Sequence, residues 1–212
     1  MQHFSSYKNT SSVVKTLIWL VAGASFLYPI ITYFLVEIFK IHSLAFFFPL
    51  SWVGIKAGFF WQLVSYFFIN SIGTVISVGF LISLFFNLFL LWFAGNEIVA
   101  RYGTLRFLLF YLGAGIFAGL IATLYFFLFS RMGMIASVTP PIYALLTLWS
   151  MLFPRLTLHL LVALPISTKW IIPLLLAISL LFNLLSGGFV YFLADLAAVF
   201  WGYCIGRLLC KL

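Results

Sequence analysis

Asp195 lies in the middle of the apolar run Phe189 to Leu209, and no other acidic residue of the chain sits so deep in such a run. A carboxylate in hydrocarbon costs about 2.5–3.5 kcal/mol on insertion scales, so it is expected to face protein and to have a hydrogen-bond partner or a raised pKa. Helical spacing puts Asp195 on one face with Ala198 and Gly202, and Gly206 extends the line. Small residues of this kind let a second helix approach closely. The uses open to Asp195 are those of a buried acid: a hydrogen bond between helices, a general base, or a proton or cation site.

Hydroxyls and an amide supply the remaining candidates. In the run Ser137-Val138-Thr139-Pro140-Pro141-Ile142-Tyr143-Ala144 the prolines are tolerated only in a first helical turn, so a helix is expected to open near Thr139. A hydroxyl at an N-cap is ordinarily structural. The same helix end favours developing negative charge, which makes Thr139 and Ser137 candidate nucleophiles. Asn87 and Ser83, four residues apart, share a helical face. An amide there serves as an oxyanion donor or as glue between helices. Gly115-x-x-x-Gly119 is a helix-packing signature of low specificity, and Glu97 with Arg101 reads as a solvated i,i+4 pair. Cys204 and Cys210, six residues apart, and His3, His42 and His159 give no metal-ligand spacing, so neither a metal nor another cofactor is expected.

The elements that must position these groups are membrane helices. Only 7% of the 212 residues are charged and 66% are apolar, against roughly 25% and 45–50% in soluble domains. That excludes a soluble fold, a disordered chain and a disulfide-rich secreted module. The net charge of +8 is scattered, with no basic face and no nucleic-acid motif, so nucleic acid is not an expected partner. A polar segment, 1–16, precedes a single membrane domain, 17–212, with spans expected at about 17–39, 74–95, 107–129, 135–153, 170–185 and 189–209. A retained first span is preferred to a signal peptide, because the apolar run is long and no small-residue cleavage site stands out. Residues 40–73 mix Phe46, Phe47, Phe48, Trp52, Phe59, Phe60 and Trp61 with Lys40, Lys56, Gln62 and Asn70. They read as a large loop partly embedded in the membrane interface between helices 1 and 2. Pro154 to Thr168, apolar but bearing Arg155, His159 and Pro165, fits neither span nor loop cleanly.

Six spans put Lys8, Lys15, Arg101, Arg106, Arg155, Lys169, Arg207 and Lys211 on the side of the N-terminus, and only Lys40, Lys56 and Arg131 on the other. The positive-inside bias then places both termini in the cytoplasm.

Taken in order, these pieces resemble the rhomboid family of intramembrane serine proteases and their inactive relatives. The likeness runs from about Trp61 to Leu209. Phe86 through Gly95, followed by Gly103, looks like the family's second helix and its turn. Pro154-Arg155-Leu156 through Pro165 and Trp170 is similar to the link into the fifth helix. Ala198, Gly202 and Gly206 match the small-residue ladder of the sixth. The resemblance implies a six-helix, all-α membrane bundle.

It also implies where catalysis would sit, and there the chain departs from the family. A Gly-x-Ser-Gly motif opens the family's fourth helix, with a Tyr four residues after the Ser. Tyr143 keeps that place, the Ser position falls on Thr139, and the flanking glycines become Ser137 and Pro140. The general base, a His in the sixth helix, corresponds to Asp195. Asn87 matches the oxyanion Asn, but the His four residues earlier is Ser83. The aromatic-Arg pair opening the embedded loop looks like Trp61-Gln62, without its Arg, and Glu97 lies two residues earlier than the family's Glu.

A carboxylate of ordinary pKa near 4 is a poor base for a hydroxyl. Pro140 also removes a backbone N–H beside the nucleophile position. The expectation is therefore a pseudoprotease, whose partners are the lipid bilayer and transmembrane segments of client proteins. The alternative is an active endopeptidase with a Thr139/Asp195 centre. A small proton- or cation-coupled transporter is more remote, since no second buried acid relays to Asp195. A bacterial inner membrane is the simplest location; the sequence fixes no oligomeric state and no client.

Overall fold

The computed structural model describes residues 10–38, 40, 47–72, 75–129, 133–154, 157–160 and 164–210. Lys8, His3, His42, Arg131, Arg155 and Lys211 fall outside them, as do the side chains of His159, Lys169 and Cys210, so the charge count above stands on sequence alone.

The described chain is a bundle of helices with two small strand pairs. Helix α1, Ser12–Tyr33, runs on through a π-helical turn, Phe34–Ile38, and keeps Pro29 inside it. Helix α4, Val78–Tyr102, opens at Ser77, whose hydroxyl accepts from Phe80 N at 3.1 Å, and ends at Gly103, where φ is +81°. Helix α5 is Thr104–Leu128, and α8 is Phe189–Cys210. These four are long and apolar enough to cross a membrane. Two more helices are shorter: α6, Thr139–Leu152, with 14 residues, and α7, Ile171–Ser186, with 16. Ten residues of α6, Pro140 through Trp149, are buried. A helix apolar on all sides is an interior helix, and α6 lies within the bundle, touching α4, α5, α7 and α8.

Helix α4 does not stop at Gly95. It continues through Asn96 and Glu97, which the sequence reading placed in a hydrophilic turn. Gly is common in membrane helices, and Asn96 gives the extra turn a task. Its amide donates to Trp92 O at 2.7 Å, and its carbonyl oxygen accepts from Ser11 N at 2.9 Å. The start of α1 is thereby tied to the end of α4.

Between α1 and α4 the chain makes strand β1, Leu50–Ser51, and short helices α2, Trp52–Lys56, and α3, Gln62–Ser65, the last running into a 3-10 turn, Tyr66–Phe68. Gln62 is fully buried and organises this loop. Its side-chain oxygen accepts from Ser51 N at 3.1 Å and its amide donates to Phe47 O at 3.5 Å. Trp61 Nε1 donates to the same carbonyl at 3.0 Å. Strand β1 pairs antiparallel with β2, Met134–Ile135, just ahead of α6. The segment Pro154 to Thr168 contains a hairpin, β3, Thr157–Leu160, against β4, Leu164–Ser167.

Small residues set two close approaches. A Cβ on Gly202 of α8 would lie 2.7 Å from Ala144 O and 3.0 Å from Ala144 Cα, so α8 meets the backbone of α6 there. One turn on, a Cβ at Gly206 would meet Met151 Sδ at 2.9 Å. Ala198 is fully buried, completing the face expected from the sequence. Gly115 and Gly119 of α5 behave differently. They receive the rings of Phe67 and Tyr66 from the loop between α1 and α4, not a neighbouring long helix, and the Tyr66 hydroxyl donates to Gly115 O at 2.7 Å.

Gly202→Ala should therefore cost about 1–3 kcal/mol, because the obstacle is backbone. Gly206→Ala should cost less than about 1 kcal/mol, because a flexible methionine yields. Unfolding titrations of both variants in mixed micelles check the order.

Candidate functional site

Thr139 is positioned by the segment that leads into α6. After β2, Ser137 N donates to Tyr66 O at 3.1 Å, which fixes this segment to the loop between α1 and α4. The N-cap position is Val138, and Thr139 is the first helical residue. Pro140 and Pro141 follow in the first turn, where a missing N–H leaves no helical bond unmade. The capping oxygen comes from Ser137, whose Oγ accepts from Thr139 N at 3.3 Å. The expected N-cap role thus belongs to Ser137, leaving the Thr139 hydroxyl free to reach across to α8.

Across the helix interface Thr139 Oγ1 donates to Asp195 Oδ1 at 2.8 Å. The second carboxylate oxygen, Oδ2, accepts from Ser179 Oγ of α7 at 2.7 Å. Asp195 is 4% exposed. Ser137 Oγ lies 2.7 Å from Thr139 Oγ1. Thr139 has one proton, and it points at Asp195, so Ser137 donates to Thr139. On the other side Asn183 Nδ2 reaches Ser179 Oγ at 3.2 Å and Ser179 O at 2.7 Å. Donors thus run inward from both flanks and end on the carboxyl group of Asp195. Tyr143 is one turn along α6 from Thr139 and 9% exposed.

Asn87 and Ser83 form a second cluster on α4. Asn87 Nδ2 donates to Asn70 Oδ1 at 3.0 Å, and Ser83 Oγ exchanges 3.4 Å contacts with both ends of the Asn70 amide. Asn70 is itself held by Ser25 of α1, whose Oγ accepts from Asn70 N at 3.1 Å and donates to Phe68 O at 3.3 Å. Asn87 is 6% exposed. Among the described residues no hydrogen bond joins this amide cluster to Thr139 or Asp195. The two clusters meet at a polar cavity of about 390 Å³, whose wall includes Asn70 from one and Ser137 and Asn183 from the other, with Tyr191 of α8 between them.

Four residues escaped the sequence reading as site residues: Ser179, Asn183, Asn70 and Ser25. The signal for the first two was present, since a hydroxyl and an amide four residues apart on one short apolar helix share a face. Asn70 had no periodic context to mark it.

The family model described as Rhomboid domain matches residues 60–212. The chain belongs to the rhomboid family. The match covers the chain from within the loop between α1 and α4 through α8, so both polar clusters lie inside the rhomboid domain, except that Ser25 is contributed from α1. With four membrane-length apolar helices, this rhomboid-domain chain is an integral membrane protein. A comparison with curated proteins finds no match.

Ser179→Ala leaves a buried carboxylate oxygen without its donor and should cost about 1.5–3 kcal/mol, the range for hydrogen bonds to charged groups. Asn183→Ala acts one bond further out and should cost about 0.5–1.5 kcal/mol. Thermal unfolding of purified protein in detergent distinguishes the two.

Proposed function

We propose that this rhomboid-family chain is a pseudoprotease that crosses the membrane six times, with both termini cytoplasmic, and binds transmembrane segments of client proteins without cutting them. On this reading α6 and α7 are the two short crossings. The observation that carries the reading is the Thr139–Asp195 hydrogen bond of 2.8 Å, with Ser179 on the other carboxylate oxygen. A nucleophilic hydroxyl needs a base whose pKa lies near the working pH. The group beside Thr139 is a carboxylate already engaged on both oxygens.

Oxyanion stabilisation is weak as well. Thr139 N is directed to Ser137 Oγ, Pro140 and Pro141 have no N–H, and Asn87 gives an amide hydrogen to Asn70. An oxyanion site needs donors aimed at the position where charge develops. The groups around Thr139 are spent on one another, which suits a structural tie between helices. The polar cavity beside them, walled in part by Asn70, Ser137, Asn183 and Tyr191, has room for a polar side chain of a client helix, not for the helix itself.

The second reading is a Thr–Asp endopeptidase, favoured by the same hydroxyl–carboxylate contact. Purified protein in liposomes with a reporter transmembrane substrate separates the two. No cleavage is expected under conditions where an active rhomboid cuts the reporter. Cleavage that disappears in Thr139→Ala and Asp195→Asn would establish the protease instead.

A further inference from the structure

A second cavity, of about 580 Å³, lies between α1 and the embedded loop, away from the Asp195 network. One wall is a stripe along α1: Ala24, Leu27, Ile31 and Leu35, at the spacing of a single helical face. The other wall is Phe47, Phe48 and Phe68 of the loop. The few polar side chains of the lining are engaged within the protein. Ser65 Oγ donates to Phe48 O at 2.6 Å, and Tyr28 and Thr32 hydrogen-bond each other. A site holding water or a polar ligand needs several convergent polar partners, and this one presents hydrocarbon.

Size narrows the occupant. From Ala24 to Leu35 the stripe is about 16 Å long at the helical rise. The volume of about 580 Å³ lies within the roughly 300–1,000 Å³ of cavities that hold one small ligand. An elongated, apolar cavity of that size suits a single hydrocarbon chain. Phe47 belongs both to the wall and to a cluster with Phe59 and Trp61, with ring centroids 5.7 and 4.8 Å away. Trp Nε1–H groups with a stacked aromatic body sit at the headgroup level of a bilayer.

We propose that this cavity is a binding site for one acyl chain of a membrane phospholipid, seated between α1 and the embedded loop with its glycerol end at the Phe47–Phe59–Trp61 cluster. The bound chain would act as a spacer that sets how firmly the loop rests against α1. This site is independent of the client-binding reading, which concerns the other cavity.

The test uses the full-length protein in phosphatidylcholine liposomes doped with a phosphatidylcholine carrying a diazirine at one acyl terminus. Photolabelling of peptides covering 24–35 and 47–69 is expected to exceed that of the exposed face of α7 at least fivefold. Ala24→Phe combined with Ile31→Trp, which fills the channel, should bring it down to the α7 level, while Leu181→Trp on α7 should leave it unchanged. Uniform labelling of all lipid-facing surfaces, or labelling unmoved by the filling substitutions, would overturn the site. Native mass spectrometry of the unaltered protein in mild detergent gives a reading that does not depend on any variant folding. One retained phospholipid per chain is expected, and a smooth distribution with no step at one contradicts the proposal.

Discussion

The hydrogen bonds that converge on Asp195 are the constraint around which this membrane domain is arranged. A carboxylate placed among apolar helices is tolerable only if both oxygens find donors inside the protein. Thr139 at the head of α6 satisfies one and Ser179 in the middle of α7 satisfies the other. Three helices are thereby fixed in register by one side chain. Losing any arm leaves a buried charge partly unmet, which costs more than the bond's own net contribution.

The rest of the architecture follows from bringing those donors within reach. Thr139 reaches Asp195 because α8 lies against the backbone of α6, and that approach depends on Gly202 opposite Ala144. The head of α6 is held in place from the other side by β1–β2 pairing and by Ser137 N on Tyr66 O. Tyr66 in turn is anchored to α5 through Gly115. A continuous set of contacts thus links the loop between α1 and α4 to the carboxyl group, with Gln62 ordering that loop. The Thr139–Asp195 pair holds α6 and α8 together at this point.

Much of this was legible in the sequence where a residue type was out of place. An acid in hydrocarbon, paired prolines at a helix start and small residues at four-residue spacing each have few physical explanations, and Asp195, Thr139 and Gly202 fell where those explanations require. Ser179 was harder to see, because a hydroxyl in a membrane helix is commonly satisfied by its own backbone, as Thr147 is by Tyr143 O at 2.7 Å. The partners of Asn87 and of Gly115 and Gly119 lie in the loop between α1 and α4, whose short strand and turns carry no periodicity to read. The added turn of α4 was hidden by Gly95 and by polar residues that usually mark an ending; only the tie from Asn96 to Ser11 shows why the helix goes on.

The central claim is that Thr139 and Asp195 form a structural tie. A double-mutant cycle measures it most directly, with Thr139→Val, Asp195→Leu and the double variant unfolded under identical detergent conditions. The account predicts a coupling energy of about 1.5–3 kcal/mol, that of a buried hydrogen bond to a charged group. Additive effects within about 0.5 kcal/mol would mean the two side chains are not bound to each other in the folded protein, and would contradict it.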